Sequence, residues 1–488
     1  MWYGLSSIAA RFINYLLTPY LTYKFTEAAY GEMSIIYAFI PFMNIIFTYG
    51  METAYFRFVN KHDAKQVFSS ISISILISTF TFSILLILFH KPLATLLTIQ
   101  EHTDYLYCAL IIIVLDALTT IPFAKLRQDG RPIKFAVIRV VGILINIASI
   151  YFFLSICPAW LKENPNHWCN KFYHQDWAVG YVLVANIIQS AFTLLLLSKE
   201  FFAFEWKFNA TLWKEMILYS MPLIIAGFAG MINETFDRIM LGWWAPVNSL
   251  EAAKAEVGIY AACYKLSILI TLSVQAFRMG AEPFFFKQAK EKNAPETYAR
   301  VMKFFVITLC FMFLAVVLYL DIWKHFIQNQ SMWVGLKVVP VLLLANMFLG
   351  IYYNLSIWYK LGNKTIAGAY ITVIGAAITL AINYFFIPYY SYMACAFATF
   401  ACYGSMMLVS YVWGQKEYPI PYAWKKLSAY IIISVLLYFA HNAIIQFYSI
   451  YWFNFLAATL LIGCFAILVF VLEKKEINKL PFIGKRMD

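Results

Sequence analysis

Two copies of one stretch decide the fold of this chain: GMETAYFR at residues 50–57 and GAEPFFFK at residues 280–287. A glycine, a glutamate, two aromatic residues and a terminal cation recur in register between them. Each copy ends a long apolar segment, and those segments are entered through Tyr30-Gly31 and Val257-Gly258. Recurrence after so many residues predicts two structurally similar halves and not a short-period solenoid.

The composition is that of an integral membrane protein. Of 488 residues, 62% are hydrophobic and 13% are charged, whereas about a quarter of the residues in soluble domains are charged. The net charge of +12 does not indicate a nucleic-acid partner, because the cations lie in short loops between apolar runs. The first run, residues 2–23, lacks the basic start and small-residue cleavage site of a signal peptide. It is therefore predicted to be an uncleaved span.

About fourteen apolar runs are long enough to cross roughly 30 Å of hydrocarbon. They begin near residues 3, 33, 67, 104, 135, 177, 217, 257, 304, 338, 365, 392, 427 and 452. Loops on one side of these spans hold 26 of the 37 Lys and Arg residues, and loops on the other side hold seven. Because cytoplasmic loops are enriched in cations, both termini are predicted to be cytoplasmic.

The predicted fold is an all-α polytopic membrane protein built from two repeats. The duplicated stretch falls in spans 2 and 8, so each half has six spans and the halves are parallel repeats. The predicted divisions are an N-terminal lobe (1–198), an inner-surface linker (199–216), a C-terminal lobe (217–413), two added spans (427–472) and a cytoplasmic tail (473–488).

Four cations lie inside apolar runs, where a charge near the membrane centre costs roughly 3 kcal/mol. Polar residues at helical spacing accompany two of them, on one face of span 1 and of span 5. A third polar face follows span 6. These stripes predict a wet, cation-lined vestibule whose candidate substrate-binding residues are Arg11, Asn14, Arg139, Asn146, Arg238 and Lys265.

Each buried cation also has a structural interpretation. Arg238 could be neutralised by a carboxylate of its own helix, and Arg11 by Glu52 or Asp116 on another helix. Arg139 could extend to the inner surface. The carboxylates that could pair with these cations, or bind a coupling H⁺ or Na⁺, are Glu52, Asp116, Glu234, Asp237 and Glu282.

Two of the eight cysteines share the longest predicted outside loop. Cys157 and Cys169 would meet an oxidising compartment there, where a disulfide is permitted; both the bridged and the free forms remain open. The sequence has no zinc-ligand spacing, phosphate-binding loop or dinucleotide motif, so no metal and no cofactor is predicted.

The vestibule favours a phosphorylated, glycan-like amphiphile as the substrate. Arginine grips phosphate oxygens in a bidentate manner and keeps its charge in a low dielectric. Hydroxyl and amide side chains suit sugars.

Three segments carry a family resemblance: residues 4–31 with Arg11 and Asn14, residues 49–54, and residues 236–242. They resemble the polysaccharide (O-antigen, Wzx-type) flippases of the multidrug/oligosaccharidyl-lipid/polysaccharide exporter superfamily. The resemblance implies two six-helix lobes in a V that move undecaprenyl-diphosphate-linked oligosaccharide repeat units across the bacterial inner membrane by alternating access. It also implies a cavity whose cations hold the diphosphate, a protein that works as a monomer, and H⁺ or Na⁺ as the coupling ion.

Three alternatives stand beside this interpretation. A lipid II flippase would also have fourteen spans and a cationic cavity. A cation-coupled multidrug exporter fits less well, because Arg11 stands where an acidic cavity would be expected. A membrane glycan polymerase or ligase would need a large outside loop with catalytic residues, whereas the longest here has about twenty residues. The chain is therefore predicted not to be an enzyme.

Overall fold

The computed structural model describes residues 2–362, 364–447 and 451–477, and within those ranges it contains helices and no β-strand. The first eleven α-helices are α1 (Trp2–Leu16), α2 (Thr18–Lys24), α3 (Glu27–Thr48), α4 (Met51–Phe58), α5 (Ala64–Leu88), α6 (His90–Leu96), α7 (Asp104–Gln128), α8 (Pro132–Tyr151), α9 (Cys157–Glu163), α10 (Ala178–Leu196) and α11 (Ser198–Phe201).

Ten further α-helices complete the described chain. They are α12 (Ala210–Trp244), α13 (Leu250–Gln288), α14 (Ala294–Val317), α15 (Leu320–Trp323), α16 (Val339–Leu355), α17 (Ile357–Leu361), α18 (Thr365–Tyr390), α19 (Tyr392–Glu417), α20 (Trp424–Phe447) and α21 (Tyr451–Ile477).

Thirteen helical segments among the described residues are long and apolar enough to cross a membrane. The remaining predicted span, at the N-terminus, is divided between α1 and α2 at Leu17. Pro19 follows this break, and proline removes a helical hydrogen bond and crowds the preceding turn. The predicted all-α polytopic fold is confirmed.

The helices form two bundles with an added pair. Helices α7, α8 and α10 pack together in the first bundle, and α12, α16, α18 and α19 pack together in the second. The bundles meet where α3 lies against α12 and α13. The exact lobe boundaries stay a prediction; α11 and the first turns of α12 lie within the predicted linker, and α21 continues to Ile477.

The added pair, α20 and α21, is tied to the second bundle by a buried carboxylate. Glu473 accepts hydrogen bonds from Lys303 Nζ at 2.6 Å, Lys426 Nζ at 3.0 Å and the Tyr430 hydroxyl at 2.8 Å. Breaking such a group by removing one partner leaves an uncompensated buried charge. Helix α14, which carries Lys303, is thereby held to both added helices.

The two bundles come closest where Gly31 of α3 meets Gly258 of α13. A methyl group added to Gly31 would overlap the carbonyl oxygen of Lys254, and one added to Gly258 would overlap that of Glu27. The contact is reciprocal, because each glycine meets the residue four positions before the other. Only residues without a side chain allow this approach of two backbones.

An ion pair is buried beside this crossing. Lys254 Nζ lies 3.1 Å from Glu32 Oε1, and only 6% and 7% of the two side chains are exposed. Lys254 is one of the seven cations counted from the sequence in loops on the less basic side; the structure places it within the first turns of α13, where Glu32 from the other bundle neutralises it.

The duplicated stretches have equivalent partners but different backbones. Glu52 pairs with Arg127 at the end of α7, the fourth span, and Glu282 pairs with Lys360 in α17, at the end of the tenth span. Spans 4 and 10 correspond in a six-span repeat. However, Gly50 is left-handed (φ 74°) at the break between α3 and α4, whereas Gly280 lies inside the continuous helix α13.

Candidate functional site

A cavity of about 630 Å³ lies between the bundles. We call it the N-terminal cavity, since α1, α3, α7, α8 and α10 supply most of its wall and α12 and α13 close it. It reaches from Tyr30, beside the glycine crossing, to Glu52 and Arg127 near the end predicted to face the cytoplasm.

Five of the six predicted substrate-binding residues line this cavity: Asn14, Arg139, Asn146, Arg238 and Lys265. They come from four helices, and the stripe on span 6 adds Asn186 and Gln189. Polar residues at helical spacing in an apolar run therefore do meet at the wall of one cavity here. Their role in binding is a proposal that follows from this placement.

Arg139 is exposed to the cavity from one side of α8. Its guanidinium lies 4.3 Å from the centre of the Phe123 ring. Asp116 on α7 interacts with it electrostatically, and Asp116 also accepts a hydrogen bond from Ser190 Oγ at 2.9 Å. Within the described part of the chain no hydrogen bond of the guanidinium is seen, and Arg139 lines the cavity.

Arg238, unlike Arg139, forms an ion pair and a hydrogen bond within its own helix. Its Nη1 lies 3.1 Å from Asp237 Oδ1 and donates to the backbone oxygen of Glu234 at 2.9 Å. Asp237 also accepts from the Tyr260 hydroxyl at 2.6 Å. Arg238 is thus neutralised by a carboxylate of its own helix, as its structural interpretation predicts. Lys265, on the neighbouring helix α13, also lines the cavity and forms no ion pair within the described part of the chain.

Arg127 was not among the predicted site residues, yet it lines the cavity. In the sequence it belongs to a basic loop after an apolar run, so it counts only among the loop cations that predict the cytoplasmic side. The spacing of α7 could have found it: Asp116, Thr120, Phe123 and Arg127 fall on one helical face, and all four line the cavity.

Arg11 lies in a second cavity, of about 550 Å³, which we call the C-terminal cavity. Its wall comes from α1, α12, α13, α16, α18 and α19. Arg11 is exposed there and forms no ion pair among the described residues. The two partners suggested for it are engaged elsewhere, Glu52 with Arg127 and Asp116 with Ser190.

The five candidate ion-coupling carboxylates are dispersed. Glu52 and Asp116 line the N-terminal cavity and Glu234 lines the C-terminal cavity. Asp237 is buried in its pair with Arg238. Glu282 lies outside both cavities, in contact with Lys360 and with Arg278 at 3.7 Å.

The two loop cysteines lie together. Cys157 and Cys169 are buried, and their sulfur atoms are within hydrogen-bonding contact but not bonded to each other. The disulfide stays a prediction that this proximity permits.

Residues 1–289 match the family model described as polysaccharide biosynthesis protein. The chain belongs to this family. A curated relative, "Lsg locus putative protein 1" of Haemophilus influenzae, is 19% identical over 315 residues, which are 60% of this chain and 66% of the relative. The aligned part of the chain thus spans just under two thirds of that relative's length.

Solved structures share the fold. The lipid II flippase MurJ in an inward closed conformation superposes with a TM-score of 0.75 at 14% identity, over 97% of this chain and 99% of that one. An inward-facing MATE-family multidrug resistance transporter gives 0.62 at 14% identity, over 87% and 94%. The chain therefore shares the fold of this flippase and of this exporter.

Proposed function

We propose that this protein is a flippase for lipid-linked oligosaccharides. Its substrate would be an undecaprenyl-diphosphate-linked polysaccharide repeat unit, moved from the inner to the outer leaflet of a bacterial inner membrane. Membership in a polysaccharide biosynthesis family and the flippase fold support this proposal.

The observation that carries the proposal is the cation set of the N-terminal cavity. Arg139 and Lys265 both line this space of about 630 Å³; Arg139 interacts with Asp116 through space, and Lys265 forms no ion pair among the described residues. Cations at this depth are costly unless water or an anion meets them. A diphosphate supplies the anion, because its oxygens accept the paired N–H donors of arginine.

The glycine crossing suggests how transport proceeds. Tyr30 and Met33, next to Gly31, line the N-terminal cavity, and the pair Glu32–Lys254 joins the two bundles beside the crossing. Substrate would enter from the cytoplasm, and separation of α3 from α13 would open the outer side. Such movement of one repeat against the other is the alternating access of paired-repeat transporters.

Coupling to H⁺ or Na⁺ is part of the proposal. Glu52 and Asp116 are the carboxylates best placed for it, because they line the same cavity as Arg139. An ion bound by either carboxylate would weaken its attraction for the cavity cations and leave those cations to the diphosphate.

The test is to delete the gene and identify the lipid-linked saccharide that accumulates on the cytoplasmic side. We expect an undecaprenyl-diphosphate oligosaccharide, measured by mass spectrometry of extracted lipids, and its disappearance when the wild-type chain is restored. Unchanged lipid-linked saccharides together with lost resistance to cationic drugs would contradict the proposal and favour an exporter.

A lipid II flippase is the second candidate. The superposition on MurJ over 97% of this chain, with a higher TM-score than the MATE transporter, favours it. The same deletion separates the two, because lipid II would then be the lipid that accumulates.

A further inference from the structure

The C-terminal cavity differs in chemistry from the N-terminal one. Four tyrosines line it: Tyr264, Tyr352, Tyr353 and Tyr403. Tyr353 also faces Arg278, whose guanidinium lies 4.8 Å from the centre of its ring. Flat aromatic faces with polar tips bind ligands that have both apolar and hydrogen-bonding surfaces.

Polar side chains in this cavity can form further hydrogen bonds to a ligand. The carboxylate of Glu234 is exposed and makes no ion pair with described residues. Gln275 on α13 adds an amide to the same wall. A ligand with hydroxyl groups can hydrogen-bond to both the Glu234 carboxylate and this amide.

The two cavities adjoin along three helices. On α1, Arg11 borders the C-terminal cavity and Asn14 the N-terminal one. On α12, Glu234 borders the C-terminal cavity and Arg238 the N-terminal one. On α13, Tyr264 borders the C-terminal cavity and the next residue, Lys265, borders the N-terminal one. Each division falls within about one helical turn, or roughly 5 Å along the axis. The two cavities are therefore within about one helical turn of each other, a separation that one ligand with a diphosphate and a saccharide can span.

We propose that the C-terminal cavity binds the saccharide of the substrate while the N-terminal cavity holds its diphosphate. This inference rests on the proposed function. A prenyl chain does not fit the same space, because it would strip water from Arg11, Glu234 and Arg278 without replacing their hydrogen bonds. Sugar hydroxyls replace those bonds, and sugar ring faces pack on the tyrosines.

The experiment uses the purified full chain in detergent and two defined lipids, undecaprenyl diphosphate and undecaprenyl-diphosphate-N-acetylglucosamine. We expect wild type to bind the sugar-bearing lipid about five- to tenfold more tightly, as one or two added hydrogen bonds would give. Tyr353→Ala and Gln275→Leu should abolish that ratio and leave the affinity for undecaprenyl diphosphate unchanged. Arg139→Ala should weaken the binding of both lipids by the same factor.

Tyr370→Ala is the matched control, because Tyr370 is 60% exposed on α18 and does not line the cavity. Tyr353→Leu, which removes the aromatic face but fills much of its space, replaces Tyr353→Ala if the latter does not fold. Equal binding of the two lipids by wild type, or a ratio that survives in both cavity variants, would overturn the inference alone. Failure of wild type to bind either lipid would overturn the proposed function with it.

Discussion

At the scale of single residues, Arg139 is the side chain whose loss should weaken substrate binding most. It lines the N-terminal cavity, and its guanidinium lies 4.3 Å from the centre of the Phe123 ring. We expect Arg139→Ala to lower the affinity for undecaprenyl diphosphate at least tenfold, because a charged hydrogen bond contributes about 1.5–3 kcal/mol. Arg139→Lys should recover part of the loss, since a point charge lacks the bidentate grip.

The control is Arg300→Ala, which removes an arginine that is half exposed on α14 and belongs to neither cavity. Titration of the three purified variants with the lipid gives the comparison. Equal affinities for Arg139→Ala and Arg300→Ala would show that the N-terminal cavity is not the diphosphate site.

Cys157 and Cys169 provide a second test at this scale. Their sulfurs are already in contact within a loop predicted to face an oxidising compartment. We expect peptide mass spectrometry of unreduced, denatured protein to find them linked, and the bond to add roughly 3 kcal/mol of stability. Cys464, exposed on α21, should be alkylated in the same sample. Alkylation of Cys157 and Cys169 as well would reject the disulfide.

Single residues also show how far the sequence could predict the site. Asn14, Arg139 and Asn146 were found because a polar residue in an apolar run requires an explanation. Arg127 was missed, since cations at span ends are expected whether or not they reach a cavity. The position of Arg11 in a separate cavity could not be predicted, because helical spacing gives the face of α1 but not the rotation that decides which bundle that face meets.

At the scale of helices, the glycine crossing of α3 and α13 should tolerate no added side chain. A methyl group on Gly31 overlaps backbone, which cannot move aside as a flexible side chain can. We expect Gly31→Ala to destabilise the protein by about 1–3 kcal/mol, the usual cost of overpacking. Thermal unfolding in detergent would measure this as a lower midpoint.

Gly280→Ala is the matched variant, because Gly280 lies on α13, the partner helix in the crossing, and has no atom near an added methyl group. It should unfold at or slightly above the wild-type temperature, because alanine favours helix. If the Gly31→Ala and Gly280→Ala variants have the same unfolding midpoint, the close contact does not exist in the detergent-solubilised protein. The sequence marked Gly31 and Gly258 as equivalent positions of a repeat, but only packing shows that they touch.

At the scale of the whole molecule, the orientation in the membrane remains to be tested. The loop cations place Asn164 and Asn248 outside and Asn293 inside, and the structure exposes all three in loops between spans. In a variant without the native cysteines, single cysteines at Asn164 and Asn248 should react with an impermeant thiol reagent in intact cells. A cysteine at Asn293 should react only after the cells are opened.

Reaction of the Asn293 position in intact cells would reverse the topology and with it the direction of transport. The number of spans was predictable because each requires about twenty apolar residues. The packing of the two bundles was not, since it depends on contacts between residues more than 200 positions apart, such as Glu32 and Lys254.

The reciprocal contact of Gly31 and Gly258 has a consequence for the origin of the chain. When residue i of one unit meets residue j of another and j also meets i, the interface is of the isologous kind that joins the subunits of a twofold-symmetric homodimer. A half-length ancestor would have needed a single small residue at this place, because each copy would have met its own symmetry mate. Gene duplication would then have fused two such subunits, and the crossing at the centre of this protein would be their former dimer interface.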